Sequence, residues 1–151
     1  MGIIAERDRQ AIAKLFEENV VDPVRMVYFT MPKSLIYVPG RPECETCDDV
    51  QKLVQEIADL SERITLEVHN IQQSREVAQQ YGVDRVPVLV LEGQAKGRVR
   101  FLGAPSGYEF MTLIQDIQSV SKGEPALSEA TREALAAITA PIHIKVFVTP
   151  T

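Results

Sequence analysis

The sequence predicts an α/β sandwich built on one mixed β-sheet, and three observations point to it. Two β-rich runs, residues 25–30 and 64–69, are separated by a helical pattern long enough for a crossover, which calls for parallel pairing. Two later runs, 88–91 and 99–102, flank a short turn bounded by Gly93 and Gly97, the mark of an antiparallel hairpin. Amphipathic patterns at 5–18 and 107–120 supply helices to cover the sheet.

In chain order, residues 5–18 form a helix with Ile4, Ala11, Ile12, Leu15 and Phe16 on its apolar side. Asp22-Pro23 ends the connection to residues 25–30, Arg-Met-Val-Tyr-Phe-Thr, a run typical of a strand buried on both faces. Residues 31–43 hold three prolines, one glycine and the apolar run Leu35-Ile36-Tyr37-Val38. A pure spacer is polar, so this run is expected to fold over the sheet edge beside the cysteines, as a partner contact or as a plug on its own domain. Val50, Leu53, Val54, Ile57, Ala58 and Leu60 then repeat at helical spacing before the strand at 64–69. A short helix over 74–81 is stopped by Gly82, and Val86-Pro87 leads into the third strand. Ser106 is a good N-cap for the helix at 107–120, which turns Phe110, Leu113, Ile114 and Ile117 inward.

A chain of 151 residues, 45% hydrophobic and 25% charged with a formal net charge of −5, reads as a soluble globular protein. It has no basic block for nucleic acid and no apolar run long enough to span a bilayer. Met1-Gly2-Ile3-Ile4 lacks a charged-then-apolar leader, and Glu6 stands where a myristoylation signal needs Ser or Thr. A cytoplasmic location is expected, with no nucleic-acid or membrane partner. In that compartment a two-cysteine motif more often serves redox or metal chemistry than a structural staple.

The two cysteines lie in Glu43-Cys44-Glu45-Thr46-Cys47-Asp48, where a loop gives way to the second helix. The periodicity predicts Cys44 at the helix N-terminus and Cys47 one turn in. Unpaired N–H groups and the helix dipole would then stabilise the Cys44 thiolate, while Glu43, Glu45 and Asp48 oppose that effect. Thiols so spaced reach disulfide distance with little backbone movement, so the pair is able to cycle. Cys-x-x-Cys is also half a zinc site, but His69 falls in a strand and His143 near the end of the chain, so a second half is missing. An iron–sulfur cluster shared by two chains is a further alternative, as is a buried, inert pair.

A strand, Cys-x-x-Cys at the start of the next helix, and a later Val-Pro before a hairpin resemble a thioredoxin-fold domain. Gly2-Ile3-Ile4, residues 19–29, Tyr81-Gly82-Val83-Asp84-Arg85-Val86-Pro87 and Gly103-Ala104-Pro105-Ser106-Gly107-Tyr108-Glu109-Phe110 resemble, more narrowly, the N-terminal unit of the glutaredoxin-like protein disulfide oxidoreductases of thermophiles. The resemblance implies a four-stranded mixed sheet sandwiched by helices and a thiol–disulfide oxidoreductase in which Cys44 attacks and Cys47 resolves. It implies protein disulfides as substrates, a thioredoxin-reductase-like electron donor, and no cofactor beyond the Cys44–Cys47 disulfide. It also implies a cis Pro87 facing the cysteines, leaving the Val86 backbone free to pair with an extended peptide. Three departures stand out. Residues 31–43 replace a link of a few residues, no Trp or other aromatic residue flanks the cysteines, and residues 25–30 hold no carboxylate where thioredoxins place a proton acceptor. Proton transfer therefore falls to Glu45, another carboxylate or water.

Residues 23–32, Pro-Val-Arg-Met-Val-Tyr-Phe-Thr-Met-Pro, align without a gap on residues 141–150, Pro-Ile-His-Ile-Lys-Val-Phe-Val-Thr-Pro, and each copy follows a helical pattern. The expected organisation is a redox unit over 1–121, a linker and helix over 122–140, and the first strand of a second unit over 141–151. A strand without partners favours pairing with a neighbouring molecule, so a homo-oligomer is expected. The contrasting expectation is a catalytically weak first unit that acts as scaffold or docking module for a second.

Overall fold

The computed structural model describes residues 2–33, 43–124 and 127–147. Among the described residues nine elements follow one another: α1 (Glu6–Asn19), β1 (Val24–Thr30), α2 (Cys47–Ala58), β2 (Ile64–Asn70), α3 (Arg75–Tyr81), β3 (Val88–Glu92), β4 (Val99–Leu102), α4 (Tyr108–Lys122) and α5 (Glu129–Ala136). The sheet order is β2-β1-β3-β4. Strand β1 pairs with β2 in parallel and with β3 antiparallel, and β3 pairs antiparallel with β4, so the mixed sheet follows the crossover and the hairpin.

Alternation along β1 divides the core. Val24, Met26 and Tyr28 pack with α1, α2 and α4 in the larger cluster, while Val27 and Phe29 pack with Ala78 and Tyr81 of α3 on the opposite face. On α1 the buried residues are Ile12 and Phe16, whereas Leu15 is 37% exposed and Ala11 lies in solvent. The apolar stripe expected there is thus narrower, because α1 meets the core along one edge. Gly82 closes α3 at φ 62°, in the left-handed region where a Cβ is costly. Gly93 is needed for space, since a Cβ there would come 2.8 Å from the Val120 carbonyl oxygen. Helix α4 begins after Gly107 with no side-chain cap, and Ser106 contributes its backbone carbonyl, 3.2 Å from the Glu109 N–H, in place of the expected hydroxyl. Its far end is pinned by Ser121, whose hydroxyl donates to the Asp22 carbonyl (2.7 Å) and accepts from the Asp22 N–H (2.9 Å).

At one end of the sheet, the Arg25 guanidinium grips Glu67 with two bonds of 2.6 and 2.7 Å and reaches Glu92 at 3.0 Å. Arg98 holds the other Glu92 oxygen at 2.7 Å and covers the Tyr81 ring. The cluster links β1, β2 and β3 to α3, and Arg25 keeps the Glu67 carboxyl below its usual range.

Two expectations meet the structure differently. Residues 34–42, including the run at 35–38, lie outside the described residues. Residues 141–147, expected to be a strand, carry no regular secondary structure among the described residues and are exposed, with Phe147 90% accessible. The four-stranded sheet takes no ladder bonds from them, and a strand forms only where partners are in register.

Before α1, the Glu56 carboxylate of α2 accepts the Ile3 and Ile4 N–H groups at 2.6 and 3.1 Å and pairs with Arg9 at 3.4 Å. The two amides, with Arg9 behind them, hold this carboxyl below the ordinary range. A depressed folded-state pKa stabilises above the unfolded value and loses that contribution as pH falls through the folded one. Glu56→Gln is therefore expected to cost about 1 kcal/mol at neutral pH. Urea unfolding against pH checks this: the gap between the two proteins should close at acid pH, and a gap independent of pH would contradict it.

Candidate active site

The cysteines sit where the C-terminal end of β1 meets the start of α2. They form a disulfide with a Cα–Cα distance of 5.4 Å. The helix begins later than its periodicity predicts. Thr46 is the N-cap, Cys47 the first helical residue, and Cys44 lies upstream in the turn that doubles back to meet it. Asp48 and Asp49 occupy the first turn of α2, where the dipole favours carboxylates. Together with the Thr46 cap they are the signal in the sequence for this later start.

Both cysteines are covered, but unequally: Cys44 is 7% exposed and Cys47 fully buried. They cluster with Met31, just past β1, and Ile71 and Val86 pack against them. Ile71 and Gln72 follow β2, and the Gln72 amide lies 3.3 Å from the Met31 sulfur. Val86 approaches from before β3, and the Val86–Pro87 peptide bond is cis, with Pro87 buried. The structure thus brings Cys44, Cys47 and Val86 into one cluster. Glu45 lies exposed between the cysteines. His69 stands away on β2, stacked on Phe29 with ring centroids 5.5 Å apart, and His143 lies in the exposed tail.

Tyr28 is the site residue that a search for carboxylates misses. Completely buried on β1, it donates its hydroxyl to the Cys47 carbonyl oxygen at 2.8 Å. Burial pushes its pKa up to about 12, so at neutral pH it remains a donor. Strand alternation was the available signal, because Tyr28 shares a face with Met26, the face that α2 covers. Tyr28→Phe keeps the ring but frees the start of α2 from β1. It is expected to lower the stability of the disulfide form by about 1 kcal/mol in urea unfolding, and an unchanged midpoint would show that the bond contributes nothing.

Comparison with known proteins places this geometry. Residues 35–115 match the thioredoxin domain family. A thioredoxin from Methanocaldococcus jannaschii is 30% identical over 77 residues, covering 50% of this chain and 86% of that protein. A protein disulfide oxidoreductase from Aeropyrum pernix k1 superposes with a TM-score of 0.71 at 26% identity, over 88% of this chain and 54% of that one. The alkylhydroperoxide reductase AhpF of Enterococcus faecalis shares the fold, with a TM-score of 0.70 at 24% identity over 89% of this chain and 60% of that one. This chain thus spans little more than half the length of those two structures. With a mixed four-stranded sheet, a Cys-x-x-Cys disulfide at the start of the helix after β1, and a family match over more than half its length, the chain belongs to the thioredoxin domain family.

Proposed function

We propose that this chain exchanges or reduces protein disulfides through the Cys44–Cys47 pair, a reading that rests above all on the two sulfurs being bonded at the start of α2, against Val86. In the reduced protein, Cys44 thiolate attacks one sulfur of a target disulfide. That bond breaks, the leaving sulfur takes a proton, and Cys44 is joined to the target. Cys47 thiolate then attacks Cys44 Sγ, releases the second target thiol, and restores the internal disulfide. Two electrons pass to the target, and a dithiol donor of the thioredoxin-reductase type returns them. The greater accessibility of Cys44 supports its role as the attacking residue, and the complete burial of Cys47 suits a group that reacts only inside the protein.

Val86 precedes β3 and so stands outside its ladder, which supports backbone pairing with an extended substrate peptide, beside Pro87. Glu45, an exposed carboxylate between the cysteines, is the proposed proton-transfer group. Among the described residues no helix is long and apolar enough to cross a membrane, and a cytoplasmic setting is proposed, where reducing equivalents are at hand. Residues 1–121 are the proposed redox unit and 122–140 a linker that contains α5. Residues 141–151, whose sequence repeats that of β1, are proposed to gain ladder partners from a neighbouring molecule. Exposure of Ile144, Val146 and Phe147 supports this. Sedimentation of the chain against a version ending at Ser121 checks it, and two monomers would refute it.

The order of attack is tested by trapping. With a disulfide-containing protein substrate, Cys47→Ser should accumulate mixed disulfides and Cys44→Ser should not. Faster alkylation of Cys47 than of Cys44 in the reduced protein would overturn the assignment.

A further inference from the structure

Thr30 closes β1 and is 5% exposed, and its Oγ1 is buried without a hydrogen-bond partner among the described residues. Buried hydroxyls are nearly always paired, so an orphan beside a reactive centre calls for an explanation. Alternation puts Thr30 on the same face of β1 as Tyr28, the face covered by α2. The two hydroxyls are near enough for Thr30 to favour the ionised form of Tyr28, yet the pair does not reach hydrogen-bond geometry. Geometry decides here, since a bond needs both distance and angle. The Tyr28 proton is already committed to the Cys47 carbonyl oxygen, 2.8 Å away, and the next residue, Met31, packs on both cysteines. Thr30 therefore offers a spare donor on the face of β1 from which Tyr28 holds Cys47, between Tyr28 and the Met31 that packs on the cysteines.

In the disulfide form, Cys47 Sγ is bound to Cys44 and is a weak acceptor. Reduction by a dithiol breaks the S–S bond, transfers two electrons and two protons to the pair, and oxidises the dithiol to its disulfide. A Cys47 sulfur in a fully buried residue then appears as the new polar group, shielded from bulk solvent. We propose that the Thr30 hydroxyl donates a hydrogen bond to Cys47 Sγ once the disulfide opens, holding the resolving sulfur until it attacks Cys44. Thr30 is thus a positioning residue that stabilises the reduced state, an assignment that rests on the pair cycling as proposed above. Its orphan hydroxyl in the oxidised state and its bond in the reduced state act in the same direction, toward easier reduction.

The test equilibrates the whole chain with mixtures of reduced and oxidised dithiothreitol and reads the reduced fraction by thiol alkylation. Thr30→Val, which keeps the shape and removes the hydroxyl, should lower the equilibrium constant for reduction ~10-fold, a potential about 30 mV more negative. Thr30→Ala should shift it the same way, and Thr30→Ser, which keeps the hydroxyl, should stay near the wild type. A residue that merely packs would alter the melting of both redox forms equally and leave the potential in place. A wild-type potential in the valine and alanine variants, or a serine variant that behaves like valine, overturns the assignment while the redox function stands. A wild-type pair that cannot be reduced and reoxidised overturns both.

Discussion

Because β1 is hydrogen-bonded on both edges and covered on both faces, its seven residues cannot slip by one position without moving Tyr28 and Phe29 into the wrong halves of the core. That constraint places the site. Chain leaving the C-terminal end of β1 must return to begin α2, and the Tyr28 hydroxyl fixes where it begins by holding the Cys47 carbonyl oxygen. The cysteines are then set against Met31 just past β1, Ile71 after β2 and Val86 before β3. One central strand and its two neighbours thus define the walls of a reactive pair that no single segment could enclose.

The proposed chemistry follows from the unequal burial of the two cysteines. A thiol attacking an external disulfide must be reached from outside, and one that resolves the intermediate must be kept from outside reagents. Cys44 lies in the turn ahead of α2 and Cys47 on its first residue, closed in against β1. The polar side chains that β1 contributes on this face, Tyr28 and Thr30, are hydroxyls. Tyr28 stays protonated at neutral pH, so it serves as a fixed donor, and the proposed proton transfer is assigned to the exposed Glu45.

Much of this was legible in the sequence, for reasons that differ by element. The pairing of β1 with β2 and of β3 with β4 follows from connection length and turn glycines, which are local and strongly constraining. The Cys-x-x-Cys motif and Val86 were readable because spacing and resemblance agree. The start of α2 does not follow from periodicity, which from Val50 onward carries no information about where the first turn begins; only the Thr46 cap with Asp48 and Asp49 marks it. Leu15 escaped because an apolar residue at the edge of a helical stripe is buried only if a neighbour reaches it. Tyr28 and Thr30 were hidden in a strand that reads as uniformly buried, where only the three-dimensional neighbour shows which hydroxyl has a partner. Residues 141–147 match β1 in pattern, yet a ladder depends on partners that the pattern does not contain.

The central claim is that this chain turns over as a disulfide oxidoreductase rather than serving as an inert docking module. Insulin reduction by dithiothreitol tests it most directly, read as the onset of turbidity when the reduced insulin precipitates. Small amounts of the chain should shorten that onset in proportion to their concentration, and the effect should disappear in the Cys44→Ser, Cys47→Ser double variant. Equal onset with the chain, with the double variant and with dithiothreitol alone, while the Cys44–Cys47 pair itself is reduced under the same conditions, would contradict it.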